Sequence, residues 1–547
     1  MVKSLRTRAM PAIVVIIALA GALLVAYGTA RGPGIGGDAT IYISSARNLL
    51  AGQGLGLVGP QGEFRLLPYF PPFFSLVLAA MGALGLDLVA AARWLNIALF
   101  FGLVLLVGLV SLRVVRRPWL ALAISLLLAL SPVLIPVYAW AMSEPLAIFL
   151  GFLSLSLIIR HLDQPQADDR LGFTRLRWLL LSALAAGLSF LTRYIAIAFI
   201  ATALLGILFL SKSRIPRRFG QAAIYSFTSL IPMAVWVWID LANTATVASR
   251  RLDLASLGDR LSGFWQDMVQ TLLFWFIPDS WVYQSPYPGA LNRLIVPLAA
   301  LTALAWLVWL AWRRRSAAQP AAGEPRTRWM TVLALFSLVF LGVTVLVKVT
   351  TYPPITINLR MLSPLHVSIL WLLFLAFDMT LDRIERPAWL KPALMVALVL
   401  GVAWYGIRSV NISQALHRNG LGYTMPEWQE SETMQAVREL PDDVLIVTNQ
   451  DMAVLALTGR ASYPVKEVYF DQPQADFTRY GDGDLSNDDP QRLFRQGKAV
   501  LVLFDTIDDQ FAGLYGDRTA ERIAAFVDGL HRAYRGSDGG IFYYERP

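Results

Sequence analysis

The sequence predicts a polytopic α-helical membrane protein of about eleven transmembrane helices with a C-terminal α/β domain. Of its 547 residues, 56% are hydrophobic and only 16% are charged, whereas a soluble protein of this size carries about a quarter charged residues. Apolar segments long enough to cross ~30 Å of hydrocarbon recur along residues 1–410. From residue 411 onwards charges return and the apolar runs shorten to strand length.

Eleven apolar segments of roughly twenty residues are predicted to span the membrane. The first follows Lys3, Arg6 and Arg8 and is longer than the apolar core of a signal peptide, so we expect it to be retained as an anchor. The segments lie at residues 10–30, 93–112, 117–136, 144–160, 176–192, 194–211, 219–240, 291–312, 329–349, 364–381 and 388–407.

Basic residues predict which side of the membrane each loop faces. Lys and Arg are concentrated in alternate loops, which the positive-inside rule assigns to the cytoplasm together with the N-terminus. An odd number of spans then places the C-terminal domain, residues 411–547, on the extracytoplasmic side. The net charge of +9 is explained by these loops, so no nucleic-acid partner is predicted.

Two external segments are predicted within the transmembrane domain, at residues 31–90 and 241–290. In the first, the apolar stretch from Pro68 to Leu86 is expected to lie in the outer interface, because a further span there would move Arg113 outside. The second is rich in Trp and Pro and is expected to form interfacial helices and a loop. A short helix after Asp38 is expected to bury one face, made of Tyr42, Ala46, Leu49 and Leu50.

The C-terminal domain is predicted from short apolar runs that alternate with helical stretches. The predicted helices lie near Asp451–Leu457 and Arg518–Ala533. The predicted strands are Val444–Thr448, Ala499–Phe504 and Gly540–Glu545.

Composition also limits the chemistry. The chain has no Cys, which excludes disulfides and thiolate metal sites. Its four His residues do not have metal-ligand spacing. No cofactor and no metal-ligating residue are therefore predicted, and a requirement for a divalent metal is left open.

Five ionisable residues lie at the predicted outer ends of spans, where packing of the helices can bring them together. Ionisable groups at membrane depth are costly and tend to mark a working site. The five candidates are Asp38, Glu144, Arg193, Lys348 and Arg360.

Each candidate also has an ordinary structural explanation. Asp38 is either the N-cap of the following helix or a reactive carboxylate, and the local pattern does not decide between them. Glu144 fits the first turn of a helix capped by Ser143. The basic candidates fit side chains that reach from span ends into the interface.

Six motifs give the chain a resemblance to a known family. They are "GGDATIYISSARNLLAGQG", "PYFPPFFSLVLAAMGALG", "AARWLNIALFFGLVLLVG", "AMSEPLAIFLGFLSL", "GLSFLTRYIA" and "NLRMLSPL". Their order, spacing and common sidedness over roughly the first 380 residues resemble the GT-C membrane glycosyltransferases. The chain is most similar to their bacterial branch, which is like protein O-mannosyltransferases and aminoarabinose transferases.

The resemblance implies a polyprenyl-phosphate sugar donor and a protein, lipid or glycan acceptor outside a bacterial plasma membrane. It implies that Asp38 is the catalytic base and that Arg360 and Arg193, with Lys348 as a further candidate, hold the donor phosphate. Glu144 is the alternative carboxylate for the base. Many relatives have a second acidic residue directly after the first, where this chain has Ala39.

The chemistry agrees with these roles. An acceptor hydroxyl needs a positioned base, whereas a phosphate leaving group needs its charge held rather than a proton, and inversion at the sugar carbon is expected. The main rival is a transporter or flippase of lipid-linked or amphipathic solutes, which favours ionisable groups near mid-membrane. An O-antigen-type polymerase or ligase and a non-catalytic scaffold are further alternatives.

Overall fold

A bundle of apolar helices and a smaller mixed sheet make up the protein. The structure, a computed structural model, describes residues 2–66, 70–164, 173–244, 251–254, 257–278, 325–352, 355–382, 389–465, 493–494, 496–507, 517 and 519–544. Within these ranges, eight helices are long and apolar enough to cross a membrane, which supports a multi-pass membrane protein.

The helices are α1 (Val2–Gly28), α2 (Gly37–Leu50), α3 (Phe73–Ala83), α4 (Leu88–Val114), α5 (Pro118–Ala129), α6 (Leu134–Ala139), α7 (Glu144–Asp163), α8 (Phe173–Thr192), α9 (Ile197–Leu210), α10 (Ile215–Thr244), α11 (Leu257–Phe276), α12 (Pro325–Thr350), α13 (Leu359–Leu381), α14 (Leu390–Asn419), α15 (Pro426–Gln429), α16 (Glu432–Glu439), α17 (Asp451–Thr458) and α18 (Thr519–Val527). The strands are β1 (Gly56–Val58), β2 (Phe64–Leu66), β3 (Arg251–Leu252), β4 (Thr351–Tyr352), β5 (Leu445–Thr448), β6 (Tyr463–Pro464), β7 (Ala499–Phe504), β8 (His531–Gly536) and β9 (Gly539–Tyr543).

The predicted span at 117–136 is broken into two shorter helices. Helix α5 ends at Ala129 and α6 starts at Leu134, because Pro132 has no backbone N–H and disfavours the helical conformation of Ser131. The polar groups freed by the break are satisfied from the side chains. Ser131 Oγ accepts from the Leu134 backbone N–H at 3.1 Å, and the Ser409 hydroxyl donates to the Leu130 carbonyl at 2.7 Å.

The other predicted spans are close to the observed helices, with two qualifications. The span at 194–211 begins with a 3₁₀ turn, Tyr194–Ala196, and its α-helical part α9 has 14 residues. The span predicted at 291–312 lies outside the described residues. Helix α14 continues past the predicted domain boundary at residue 411, to Asn419.

The first external segment contains α2, a β1–β2 hairpin and α3. With 11 residues, α3 is about 16 Å long and cannot cross the hydrocarbon, consistent with its predicted place in the interface. The predicted buried face of α2 is partly wrong. Residues 39–46 are all buried, whereas Leu50 is 45% exposed, because α2 packs between α3 and α17 and is enclosed on several sides.

Of the second external segment, the structure describes residues 241–244, which end α10, and residues 251–254 and 257–278. Its helix α11 packs Phe264 and Met268 inward and exposes Leu261 and Trp265. This amphipathic arrangement is the one expected of an interfacial helix. The part of the predicted segment after residue 278 lies outside the described residues.

The C-terminal domain contains a five-stranded sheet in the order β6-β5-β7-β9-β8. Strand β5 pairs in parallel with β6 and β7, and β9 pairs antiparallel with β7 and β8. The prediction of a helix through Ala533 is wrong. Helix α18 ends at Val527, and residues His531–Gly536 form β8, whose tight hairpin with β9 provides sheet hydrogen bonds that a longer helix would lose.

Candidate active site

Four of the predicted site residues form a continuous chain of ion pairs at one end of the bundle. Arg360 contacts Asp38 (Nη2 to Oδ2, 3.1 Å) and Glu144 (Nε to Oε1, 2.9 Å). Arg193 contacts the same Glu144 oxygen at 2.8 Å. Two carboxylates and two guanidinium groups, separated in sequence by up to 322 positions, therefore share one site.

Asp38 does not cap its helix. Helix α2 begins at Gly37 with Gly36 at the N-cap position, and no side chain caps it. The Asp38 carboxylate instead accepts a hydrogen bond from Arg360, and 37% of its side chain is exposed. The structure therefore excludes the interpretation of Asp38 as an N-cap. Its carboxylate is partly exposed and forms an ion pair with Arg360.

Glu144 is the buried centre of the cluster. Its side chain is only 4% exposed, and a single oxygen, Oε1, contacts both arginines. The residue opens α7 as predicted, but the side chain of Ser143 does not cap that helix. By contacting both guanidinium groups, the Glu144 carboxylate keeps the two arginines close together. Removing the carboxylate would leave positive charge unpaired in a buried place, which is costly.

Two uncharged hydroxyl groups, those of Ser143 and Tyr42, lie next to the ion pairs. The Ser143 hydroxyl donates to the Tyr42 hydroxyl oxygen at 3.0 Å and accepts from Arg193 at 3.3 Å. Burial raises the pKa of Tyr42 to about 12, so the phenol is uncharged at neutral pH. The Ser75 hydroxyl of α3 donates to the Tyr42 backbone carbonyl of α2 at 3.0 Å and so joins the two helices. Arg193 is therefore held by the Ser143 hydroxyl as well as by Glu144.

Arg360 is placed by the start of α13. The Asn358 side chain is the N-cap of this helix and accepts from the Met361 backbone N–H at 3.0 Å. Its cap puts Arg360 in the first turn, where the side chain reaches sideways to both carboxylates.

Lys348 lies outside the chain of ion pairs. Its ammonium group pairs with Asp267 of α11 at 2.9 Å and donates to the Ile355 carbonyl at 2.8 Å. The Asp267 carboxylate also accepts from the Ile357 backbone N–H at 3.5 Å. Lys348 thus holds the segment that leads into α13.

The backbone before Asp38 is held from both sides. Gly34 exchanges hydrogen bonds with the α6–α7 connection, to Ala139 at 2.8 Å and from Ala141 at 2.9 Å. Ile35 exchanges hydrogen bonds with the connection that follows α14, to Leu421 at 3.4 Å and from Tyr423 at 2.8 Å. The chain entering the C-terminal domain therefore takes part in positioning the site.

Two glycines allow this close approach. A Cβ at Gly34 would lie 2.7 Å from side-chain atoms of both Leu421 and Trp140. Gly422 has φ +60°, and a Cβ there would collide with the Ile35 carbonyl oxygen. Side chains at either position would push the two backbones apart.

Sequence reasoning missed the supporting residues of the site. Asn358 has a detectable signal, because Asn before an apolar helical run is a common N-cap. The observed contacts of Ser143, Tyr42 and Asp267 have none, because each joins residues far apart in the sequence. The sequence indicated Ser143 only as a helix cap and Tyr42 only as part of a buried face.

The structure contains an apolar helical bundle with a mixed sheet beside it. At one end of the bundle lies a charged, partly exposed cluster of two carboxylates and two arginines. No family model matches the chain, and no curated protein does either.

Solved structures identify the fold. The chain is similar to ArnT from Cupriavidus metallidurans bound to undecaprenyl phosphate, with a TM-score of 0.55 and 14% identity over 96% of this chain and 97% of that one. It is similar to the archaeal oligosaccharyltransferase AglB from Archaeoglobus fulgidus, in complex with an inhibitory peptide and a dolichol-phosphate, with a TM-score of 0.56 and 12% identity over 99% of this chain and 75% of that one. For the arabinofuranosyltransferase AftD from Mycobacteria the TM-score is 0.51, with 14% identity over 98% of this chain and 41% of that one. The chain therefore has the GT-C fold, which confirms the resemblance that the sequence motifs indicated.

Proposed function

We propose that the protein is an integral-membrane glycosyltransferase that moves a sugar from a polyprenyl-phosphate donor to an acceptor hydroxyl outside the plasma membrane of a bacterium. The observation that carries the proposal is the ion-pair chain Asp38–Arg360–Glu144–Arg193 within a GT-C fold. Similar structures hold undecaprenyl phosphate or dolichol-phosphate, which supports a lipid phosphate as the ligand of this fold.

Arg360 and Arg193 bind the donor phosphate. Their side chains are 30% and 25% exposed, so neither arginine is fully enclosed, and each also contacts Glu144. A guanidinium presents planar paired donors that match phosphate oxygens. We assign the phosphate to these two residues rather than to Lys348, whose ammonium is engaged by Asp267.

Asp38 is the general base. A phosphate that binds Arg360 competes with the Asp38 carboxylate for Nη2, and its binding leaves that carboxylate to face the acceptor. Asp38 then takes the hydroxyl proton while the acceptor oxygen bonds to the sugar carbon. The bond from that carbon to the phosphate oxygen breaks, the polyprenyl phosphate leaves with the electron pair, and attack from the opposite side inverts the carbon.

Glu144 positions the arginines and is not itself the base. With 4% of its side chain exposed and both arginines on one oxygen, it has little access to an acceptor. Its negative charge offsets one guanidinium, so the two carboxylates and two guanidinium groups of the ion-pair chain together carry no net charge. Burial of an unpaired charge at this depth would be costly.

The topology follows the distribution of basic loops: the N-terminus is cytoplasmic and residues 411–547 are extracytoplasmic. A lipid-linked donor reaches the cluster from the bilayer, because the site lies at the end of the apolar helices. A transporter would instead use charged groups near mid-membrane.

The test is turnover by the purified protein in detergent. Without a membrane a transporter produces no signal, whereas a transferase converts polyprenyl-phosphate sugars to free polyprenyl phosphate when solubilised cell-envelope extract supplies the acceptor. We expect release that depends on the extract and is lost in Asp38→Asn. Release of no polyprenyl phosphate from a panel of donors, by protein that stays folded, would contradict the proposal.

A further inference from the structure

Helix α11 carries a charged residue on the face that packs against the bundle. Phe264 and Thr271 are buried on this face, and Asp267 lies between them, three residues after the first and four before the second. An amphipathic helix at a membrane interface usually keeps its charged residues on the polar face. Asp267 therefore needs a partner within the protein, and α12 supplies it.

Asp267 and Lys348 form an ion pair, which we call the α11–α12 pair. Lys348 Nζ lies 2.9 Å from Asp267 Oδ2, and the lysine side chain is only 11% exposed. A lysine at the end of a span ordinarily extends its ammonium group into water. Lys348 instead directs this group to Asp267 and to the backbone carbonyl of Ile355.

The α11–α12 pair holds the backbone of residues 355–358, which lead into α13. Lys348 donates to the Ile355 carbonyl at 2.8 Å, and the Asp267 carboxylate accepts from the Ile357 N–H at 3.5 Å. Ile355 is 7% and Ile357 4% exposed, so the side chains of this segment also pack inward. The pair therefore satisfies backbone polar groups in a buried place, where such groups require partners.

Residues 355–358 determine where α13 begins. Asn358 directly follows Ile357, and its side chain caps the helix. Arg360 comes two residues later, and its guanidinium joins the ion-pair chain of the candidate active site. A displacement of the segment therefore moves the cap, the first turn of α13 and Arg360 together.

We propose that Asp267 and Lys348 are positioning residues that set the place of Arg360, and thereby the affinity for the donor phosphate. The proposal rests on the function proposed above, in which Arg360 binds that phosphate. A group that binds a ligand must be held within about 0.5 Å of its productive place by supporting contacts. The α11–α12 pair provides such contacts, although neither of its side chains touches the phosphate.

A direct contact between Lys348 and the phosphate predicts the opposite result for Asp267→Asn. The substitution removes the charge that competes for the ammonium group, so a phosphate held by Lys348 itself would bind more tightly. If the pair positions Arg360, the same substitution weakens binding, because the ammonium group loses its charged partner. We expect binding to be about three- to tenfold weaker, a smaller loss than in Arg360→Ala, because Arg360 keeps its guanidinium.

The test measures the Kd for undecaprenyl phosphate by calorimetry with the purified full chain in detergent, and KM and kcat for a donor that the wild type uses. Asp267→Asn is compared with Asp267→Asn/Lys348→Met, which removes both charges and leaves neither unpaired in a buried place. Both variants should raise Kd and donor KM, with kcat at saturating donor within about twofold of wild type. A merely structural role would lower Tm and the amount of active protein, which lowers the apparent kcat and leaves KM and Kd unchanged.

Asp253→Asn is the matched control. Asp253 forms an ion pair with Arg260 in the first turn of α11, away from residues 355–358. This variant should at most lower Tm and should keep the wild-type Kd.

Three results would overturn the inference while the wild type binds undecaprenyl phosphate. They are equal or tighter binding by Asp267→Asn, a wild-type Kd in the double variant, and a loss in Asp253→Asn as large as in Asp267→Asn. If the wild type itself binds no undecaprenyl phosphate and uses no donor, the proposed function fails, and the inference fails with it.

Discussion

Replacing Asp38 by Asn separates catalysis from donor binding. The change keeps the shape of the side chain but removes the proton acceptor, so we expect the chemical step to slow by at least ~10²-fold. Protein stability should fall by no more than about 0.5–1 kcal/mol, the contribution of the exposed ion pair with Arg360, because Gly36 and not Asp38 occupies the N-cap position of α2.

Donor affinity should rise in the same variant. In the wild type, a phosphate must displace the Asp38 carboxylate from Nη2 of Arg360, which it contacts at 3.1 Å. Because the two side chains are 37% and 30% exposed, the pair is worth about 0.5–1 kcal/mol. Losing it converts to about two- to fivefold tighter binding of polyprenyl phosphate.

Two measurements on one preparation test this: the rate of sugar transfer at saturating donor, and the Kd for polyprenyl phosphate by calorimetry in detergent. Asp87→Asn is the matched control, since Asp87 caps α4 by accepting from Ala90 at 2.9 Å and Asn caps equally well. Near-normal transfer by Asp38→Asn would refute Asp38 as the base. Weaker binding of polyprenyl phosphate would refute the competition for Arg360.

Three further changes test the site and the domain next to it. Arg360→Ala should weaken polyprenyl-phosphate binding about tenfold or more, because a charged hydrogen bond is lost, as calorimetry will measure. Gly422→Ala should lower both Tm and transfer rate, since a Cβ there meets the Ile35 carbonyl and φ is +60°. Burial alone would raise the pKa of Asp538, but hydrogen bonds from groups including Thr433 lower it overall. Its stabilising effect is therefore complete above the unfolded pKa of about 4 and is lost as pH falls through the lower folded value. The Tm difference between wild type and Asp538→Asn should shrink accordingly below about pH 4.

Each of these predictions has a matched control. Arg65→Ala removes an arginine of β2 that pairs with Glu63 outside the ion-pair chain and should leave donor binding unchanged, so an equal loss there would make the Arg360 effect non-specific. Gly459 has φ +77° with no atom within 4 Å of its Cβ position. Gly459→Ala should therefore cost stability alone, and an equal loss of transfer would contradict the positioning role of Gly422. Asp528 is exposed near the end of α18, and a pH-dependent difference as large in Asp528→Asn would contradict the assignment to Asp538.

The sequence predicted the elements of this protein well where a single stretch contains the cause. Apolar length located the spans, the charges of the loops placed the stretch from Pro68 to Leu86 in the interface, and alternation of apolar runs located β5, β7 and β9. It failed at the α5–α6 break, where Pro132 interrupts an apolar run long enough to span the membrane, and at β8, where pairing with β9 decides the outcome. At Ser131, for example, hydrogen bonding within the break and the Ser409 contact to Leu130 make an interrupted helix acceptable.

By itself, the sequence determined a bundle of membrane-spanning helices with ionisable residues at the outer ends of the spans. Hydrophobic length and the placement of charges are properties of consecutive residues and can be read from the sequence. Only the tertiary structure decided that Asp38 faces Arg360 rather than its own helix, that Glu144 joins the two arginines, and that Lys348 pairs with Asp267 instead. These choices depend on distances between residues up to 322 positions apart. An ion pair forms where packing brings two charges within a few ångströms, and the packing of the helices, not the pattern along any one of them, sets that distance.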